Sequence, residues 1–420
     1  MKLKNLLLAV LVIMAAQSYA QLTISGELRP RAEYRNGYKT LNSDAQDAAL
    51  FVSQRTRLNT KYSTDDYTFF VSFQDVRVWG DVSQLAENGS SLALHQAWGQ
   101  IKFSPNFALK IGRQEIIYDD SRMFGNVGWA QQGRSHDAAI FKFGNDNYKL
   151  DLGIAYNQDS DKTTNGTDYN VAGNYKAMQY ARFFKDFSNV KASFLFLNNG
   201  LIPTNDGVVV DPSSDINYSQ TLGTNLKFKA SSNLNVALNA YLQTGKDVGD
   251  NDLSAYLVGL DLGYKASSDW NFGLGFEMQS GNDNDTIGEK NKAFTPFYGT
   301  NHKFNGFMDY FYVGNHGNSV GLVDVYVKAK AKLGEKSSLT AFVHNFSAQA
   351  EIANGVDKQL GTEIDLVYSH KLSKDVSIGA GYSQMIASEG LEAVKGNYDG
   401  NGNNWAWLML TIKPTLFSSK

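Results

Sequence analysis

The sequence predicts an all-β fold: a closed antiparallel transmembrane β-barrel of about 18 strands, with short periplasmic turns and long external loops. Three observations predict it. Apolar and polar residues alternate with period two almost throughout from Gln21 onward, as strands do when each face meets a different environment. Short and long connections alternate strictly along the chain. Aromatic residues bracket the short connections, as they do at the rim of a barrel in lipid. Backbone polar groups in lipid find no water to bond, so such a sheet must close on itself.

The first element is a leader. Met1 to Lys4 carries positive charge, Leu6 to Ala16 is apolar, and Ser18 and Ala20 place small residues before a cleavage point at Gln21. This is the layout of a secretory signal peptide, and the apolar run is shorter than the roughly 20 residues that span a bilayer. Residues 1–20 are read as signal peptide and 21–420 as one outer-membrane barrel. The chain has a net charge of -3 and no Cys. That balance argues against nucleic-acid binding, and the lack of Cys excludes disulfides and thiolate metal sites.

The strands follow. In the first, Leu22, Ile24, Gly26, Leu28, Pro30, Ala32 and Tyr34 face away from Glu27, Arg29, Arg31 and Glu33. The split recurs in Leu234–Gln243, Trp270–Gln279 and Val323–Ala331. Short turns fall between Tyr62 and Tyr67, Phe103 and Phe107, Phe143 and Tyr148, Phe184 and Val190, Phe228 and Leu234, Tyr264 and Trp270, Leu333 and Leu339, and Lys371 and Val376. Each is rich in Ser, Asn, Asp or Gly, the turn formers. Longer polar loops fall at roughly 35–50, 80–91, 118–134, 158–175, 199–218, 245–252, 281–320, 347–360 and 387–402. Eight turns and nine loops connect eighteen strands.

With the apolar face toward lipid, the inner face carries Arg29, Arg31, Arg55, Arg57, Lys61, Lys102, Lys110, Arg134, Lys142, Lys149, Lys191 and Lys227 early in the chain. Asp261, Glu277, Asp324, Glu363 and Asp365 fall late, with Lys328 and Lys330 as cationic exceptions. Arg113 and Arg182 have lipid-side parity. Rings of Arg and Lys make a pore anion-selective; the competing reading is that Arg and Glu simply ladder across neighbouring strands. Inward Gly273, Gly275, Gly379 and Gly381 take up little room and suggest an open passage. The stretch Phe107–Phe143 reads as strand, inward-folding loop, strand, and the loop 281–320 is also long enough to fold inward.

Signals for chemistry are weak. Gly317-Asn-Ser319-Val-Gly321 matches G-x-S-x-G but lacks the strand-then-helix setting of a nucleophile elbow. Six scattered His residues have no metal-ligand spacing. Asp159, Asp161, Asn165 and Gly166, and separately Asp283 and Asp285, resemble loop calcium ligands without completing the pattern. No catalytic residue, metal ligand or cofactor is assigned.

Several stretches resemble the alginate-export family of Gram-negative outer-membrane barrels: SQRTRLN (Ser53–Asn59), QDVRVWGD (Gln74–Asp81), LHQAWGQ (Leu94–Gln100), Lys110–Ala138, and TNHKFNGFMDYF (Thr300–Phe311). The likeness is strongest over 22–145 and weaker over 297–325. It implies an eighteen-stranded monomer passing a polyuronate through an arginine-lined constriction, with Arg55, Arg57, Arg77, Arg122 and Arg134 at the constriction or vestibule. The absence of arginine after Arg182 departs from a fully basic pore. The expectation is an outer-membrane channel, not an enzyme, for passive passage of an anionic, alginate-like saccharide or related small polar solute. Arg29, Arg31, Arg55, Arg57, Arg77, Arg122, Arg134 and Lys328 would line the pore. Expected partners are outer-membrane lipid, the solute and periplasmic export partners, with no nucleic acid. The alternatives are a general porin without a defined substrate and a barrel hydrolase.

Overall fold

The computed structural model describes residues 20–85, 92–164, 166–205, 207–396 and 402–419; the expected signal peptide lies outside them except for Ala20. The strands are β1 (Gln21–Asn36), β2 (Ala49–Ser63), β3 (Tyr67–Val78), β4 (Leu92–Ser104), β5 (Phe107–Gln114), β6 (His136–Gly144), β7 (Tyr148–Tyr156), β8 (Tyr175–Asp186) and β9 (Val190–Leu201). A two-residue hairpin in a loop supplies β10 (Thr204–Asn205) and β11 (Val208–Val209). Then come β12 (Asn217–Lys229), β13 (Leu234–Lys246), β14 (Asp252–Lys265), β15 (Trp270–Gln279), β16 (Leu322–Lys332), β17 (Ser337–Ser347), β18 (Gln359–Lys371), β19 (Val376–Ala387), β20 (Asn404–Ile412) and β21 (Thr415–Ser418).

Each long strand pairs antiparallel with its neighbours in sequence, and β1 pairs with both β20 and β21, which closes the barrel. The two last segments are one stave broken at Lys413 and Pro414. Proline has no N–H to give the ladder and belongs at a bulge; here Gly26 N donates to the Pro414 carbonyl (3.0 Å) across a register shift between Ile24 and Ser25. Counting that stave once, the nineteen-segment sheet has eighteen staves, as the turn count predicted.

The short turns have a local cause. Thr64, Ser231 and Ser267 Oγ, and Asn145 Oδ1, accept from backbone N–H groups two and three residues ahead. Such side chains complete a turn in place of the ladder. Next to these turns, aromatic rings stack: Phe103 on Phe107 (5.1 Å), Phe107 on Phe143 (4.7 Å) and Trp270 on Phe272 (5.8 Å).

Polarity runs opposite to that of a water-soluble protein. On β12 Thr221 is 1 % exposed and Leu222 54 %; on β13 Gln243 is 1 % and Leu242 59 %. Among the described residues no helix is long and apolar enough to cross a membrane; the strands do so. Buried Glu27, Arg29, Arg31, Arg55, Glu277, Asp324, Glu363 and Asp365 face inward.

Two expectations are corrected. Arg182 points into the lumen with Tyr180 and Met178, which are buried. The parity rule failed because the loop 115–135 brings Ile116, Met123 and Phe124 into the barrel, and these give the inner face of β8 an apolar partner. The inward glycines do not leave space open either. Tyr326 lies over Gly275, Lys328 over Gly273, and Trp407 over Gly379 and Gly381. Arg113 stays on the outer face, half exposed, paired with Asp137 at 2.8 Å.

Candidate solute pathway

Two loops meet inside the barrel. The loop 115–135 follows β5, and the loop 280–321 follows β15. Their backbones pair where Gly125 N donates to the Tyr298 carbonyl (2.8 Å) and Thr300 N to the Ser121 carbonyl (2.9 Å). Arg134 adds a bond to the Gly299 carbonyl (2.9 Å), and Thr300 Oγ1 accepts from Val127 N (3.1 Å). The strict long-short alternation leaves this much chain on the external side, and the lumen is where it can bury its apolar residues.

The predicted arginines of β1 and β2 hold the tip of the first loop. Arg29 donates to the carbonyls of Gly128 (2.8 Å) and Trp129 (3.0 Å) and to Gln131 Oε1 (2.9 Å). Arg31 donates to the Trp129 carbonyl (2.8 Å) and to Glu33 (2.9 Å). Arg55 is paired with Glu27 and reaches the Ala130 and Gln131 carbonyls (both 3.3 Å). Arg57 donates to Gln74 (3.0 Å) and to the Gln132 carbonyl (3.3 Å). A guanidinium has five donors in a fixed fork, so one side chain can hold several carbonyls of an irregular segment. Arg77, at the external end of β3, pairs with Asp75 (2.6 Å).

Elsewhere the loop is braced on the other walls. Arg122, fully buried, pairs with Glu277 and donates to Asn305 Oδ1 (2.9 Å). Asp119 accepts from Arg182 (2.6 Å), Asp120 from Asn239 (2.6 Å), and Asp151 from the Tyr118 hydroxyl (2.7 Å). Asp119, Asp120 and Asn305 were not singled out from the sequence, because loop residues have no parity. The root of the loop is set by Glu115, which receives His95 Nε2 (2.9 Å) and Asn126 Nδ2 (3.1 Å) with Arg57 at 3.8 Å. Burial alone would raise its carboxyl; the bonds from His95 and Asn126 and the nearby positive charge outweigh it and hold the group below the usual carboxylate range.

The far wall is acidic. Asp324 accepts from His344 (2.9 Å) and Asn305 (3.2 Å), Glu363 from Met308 N (2.8 Å), and Asp365 from Ser383 (2.5 Å). Lys328 pairs with Asp261 at 2.5 Å.

Cavities lie on both sides of the loops. An outer vestibule of about 420 Å3 is lined by Arg31, Glu33, Arg35, Lys39, Arg77 and Trp129. An inner chamber of about 400 Å3 is lined by Lys227, Lys303, Lys328, Asp261, Tyr326 and Phe342, among others. Toward the short turns a wider opening of about 830 Å3 includes Lys191, Lys227 and Asp261.

Ser135 Oγ lies 3.2 Å from His95 Nδ1, whose Nε2 meets Glu115, a Ser-His-acid order of contacts. The Ser135 hydroxyl donates to the carbonyl of His95 itself (2.6 Å), so the group works as a strut at the loop root. Ser319 sits in a packed loop that runs straight into β16, without the strand-turn-helix of an elbow. Asp159 is engaged by Lys162 (3.2 Å) and Asn170 N (3.1 Å), and Asp283 by Lys292 (3.5 Å) and Glu351 N (3.2 Å). Asn165 lies outside the described residues.

Solved structures share this architecture. OccAB4 of Acinetobacter baumannii aligns with a TM-score of 0.63 at 14% identity, covering 95% of this chain and 99% of that one. The Pseudomonas aeruginosa outer membrane protein opdK aligns at 0.61 and 11% identity (95% and 99% covered). OccK11 (OpdR) of the same organism aligns at 0.60 and 11% (95% and 96%). At these identities the likeness is one of fold. Among curated proteins none matches this chain. The sequence model of alginate export proteins matches residues 20–401. A closed barrel with a lipid-facing exterior and a charged lumen is an outer-membrane channel, and this one belongs to the alginate export family.

Proposed function

We propose that the channel passes anionic saccharides of the alginate kind by passive diffusion, with the arginine wall of β1 and β2 setting the preference for negative charge. One observation carries the reading. Among the described residues, Arg29, Arg31, Arg35, Arg55 and Arg57 share only Glu27, Glu33 and Glu115 as carboxylate partners, and Lys413 also draws on Glu27 (3.0 Å). The wall therefore has a surplus of positive charge, and its remaining donors meet neutral carbonyls. Low-dielectric walls focus that surplus into the passage. Arg122, Arg134 and Lys328 act differently in this reading. The first two fix the loops that shape the passage, and Lys328 flanks it on the inner side.

Reversal potentials across planar bilayers in a salt gradient test the proposal. The expected result is an anion preference that falls in Arg35→Gln, which removes one vestibule cation and leaves the Arg29, Arg55 and Arg57 contacts in place. Equal permeability to both ions favours a general porin instead and sinks the reading.

A further inference from the structure

Four alternate strands end alike. β12, β14, β16 and β18 run toward the short turns, and their last residues are Lys229, Lys265, Lys332 and Lys371. All four are exposed. In the ladder Lys229 stands opposite Asn235, Lys265 opposite Asn271, Lys332 opposite Ser338 and Lys371 opposite Ser377. Those partners lie an even number of residues from buried Gln243, Glu277, His344 and Ser383 on the same strands, so they share the lumen face. Residues opposite each other in a ladder point to one face, and the four lysines therefore rise from the lumen side of the mouth. Neighbouring strands lie about 4.8 Å apart, which spaces these stems roughly 10 Å apart around half of it.

Carboxylates do not cancel the row. Among the described residues none of the four lysines is in an ion pair, whereas Lys328 and Lys413 hold Asp261 (2.5 Å) and Glu27 (3.0 Å). Lys330 adds a fifth unpaired ammonium on the same face. The turns supply Lys336 and Lys374 against Asp269, Glu335 and Asp375, so this half of the mouth keeps four of those five charges in surplus. The other half is balanced. There β2, β4, β6 and β8 end on Ser63, Ser104, Gly144 and Asp186. Lys61, Lys102, Lys149, Lys185 and Lys191 are met by Asp65, Asp66, Asp146 and Asp186.

A cavity of about 370 Å3 lies within the row. Lys265, Lys328 and Lys330 line it with Asn235, Asn271 and Thr340, and no described carboxylate does. Its wall at Gly263 is open. Lys265 and Lys330 both stand opposite Asn271, one on each side. Two ammonium donors thus flank an amide across three adjacent strands, an order that suits a carboxylate and the hydroxyls beside it.

We propose that this lysine collar captures a polyanionic saccharide chain at the short-turn mouth, with one carboxylate at Lys265, Asn271 and Lys330 and others along Lys229, Lys332 and Lys371. Several carboxylates on one chain can meet the row together; a single sugar acid meets one part of it. Like charges on a low-dielectric wall raise the encounter rate of an opposite charge, and salt weakens the effect. This rests on the anionic-saccharide reading above and deepens it, because the first contact on the periplasmic side is multivalent.

Single channels in planar bilayers test the collar, with tetramannuronate and monomeric mannuronate added to one side and then the other. The tetramer should block faster from the short-turn side, and its on-rate there should fall steeply as salt shortens the Debye length from about 10 Å to about 3 Å. In Lys229→Gln/Lys265→Gln/Lys332→Gln/Lys371→Gln that on-rate should fall roughly tenfold or more, with a much smaller change for the monomer. Lys61→Gln/Lys102→Gln/Lys149→Gln/Lys191→Gln removes as many charges from the other half and should leave the on-rate nearly as it was. Every replaced lysine is exposed, so both variants keep the barrel. An unchanged on-rate in the first variant, or an equal fall in both, overturns the collar. A fall confined to bilayers of anionic lipid assigns the lysines to lipid headgroups and overturns it too. A wild-type reversal potential without anion preference defeats the parent reading instead, so the failures are distinguishable.

Discussion

Arg31 grips Trp129 at two points: its guanidinium carbon lies 4.0 Å from the centre of the indole, and its Nη1 donates to the Trp129 carbonyl at 2.8 Å. The same indole stacks on His302 at 4.8 Å and meets Trp405 and Trp407 edge-on. One inner-wall side chain therefore fixes the tip of the first loop against the second. A desolvated cation–π contact is worth about 2 kcal/mol, and a bond to a charged donor about 1.5–3 kcal/mol. Arg31→Ala should free the tip, and the open-channel current should rise and become noisy in planar bilayers. An unchanged, quiet current would show that the remaining arginines suffice without it.

Arg122 and Glu277 form a buried pair between the loop and β15. Removing one charge leaves the other buried without its partner, a cost of about 3–5 kcal/mol. Arg122→Met should therefore lower the unfolding free energy from lipid, read by denaturant titration, by that amount. Arg122→Met/Glu277→Leu, with both charges gone, should recover most of the loss. If the double variant is as weak as the single one, the pair is not what limits stability there.

The root of the loop should be acid-sensitive. Glu115 is held below the usual carboxylate range, so its contribution is present above the unfolded-state value and is lost as pH falls through the depressed folded one. Current noise should thus be flat from neutral pH down through the ordinary carboxylate range and increase only below it. Glu115→Gln should give the noisy state at neutral pH. Noise that begins near neutral pH in the wild type would assign the effect to another group.

The lipid face gives a stability test independent of function. Leu238 is outward on β13, flanked by Leu226 and Leu260. Leu238→Arg should cost about 2–4 kcal/mol in a folding titration if it lies near the bilayer midplane. Asn235→Arg, inward at the open chamber mouth, should change little. Asn239 shares that inward parity but is unsuitable as a neutral control, because its amide holds Asp120 at 2.6 Å.

These residues also show what the sequence could and could not reveal. Period two along β12 to β14 and the turn at Ser231–Asn233 depend on near neighbours, so stave count and faces could be read from order alone. The destination of a guanidinium depends on a partner about a hundred residues away. Parity puts Arg29 and Arg55 on the polar face, but nothing local indicates that their donors are spent on the carbonyls of 128–131. Arg182 was misplaced for the same reason: its partner Asp119 lies in the inserted loop, 63 residues earlier. Parity describes a strand between lipid and water, and it fails where a loop replaces the water.

The inward glycines give a final prediction from that failure. Gly381 pairs with Trp407, and a Cβ there would run into the indole. Trp407 in turn packs 4.9 Å from Trp129. Glycine at 381 thus lets a large ring lie flat on the wall and support the loop tip. Gly381→Val should push the indole toward Trp129 and cost about 1–3 kcal/mol by overpacking. Tryptophan near-ultraviolet dichroism should change with it, since three of the stacked rings are indoles. Gly263→Val, where the space around a Cβ is open, should stay within about 0.5 kcal/mol of wild type. Equal loss in both variants would mean that backbone freedom, and not the room left for Trp407, is what these positions require.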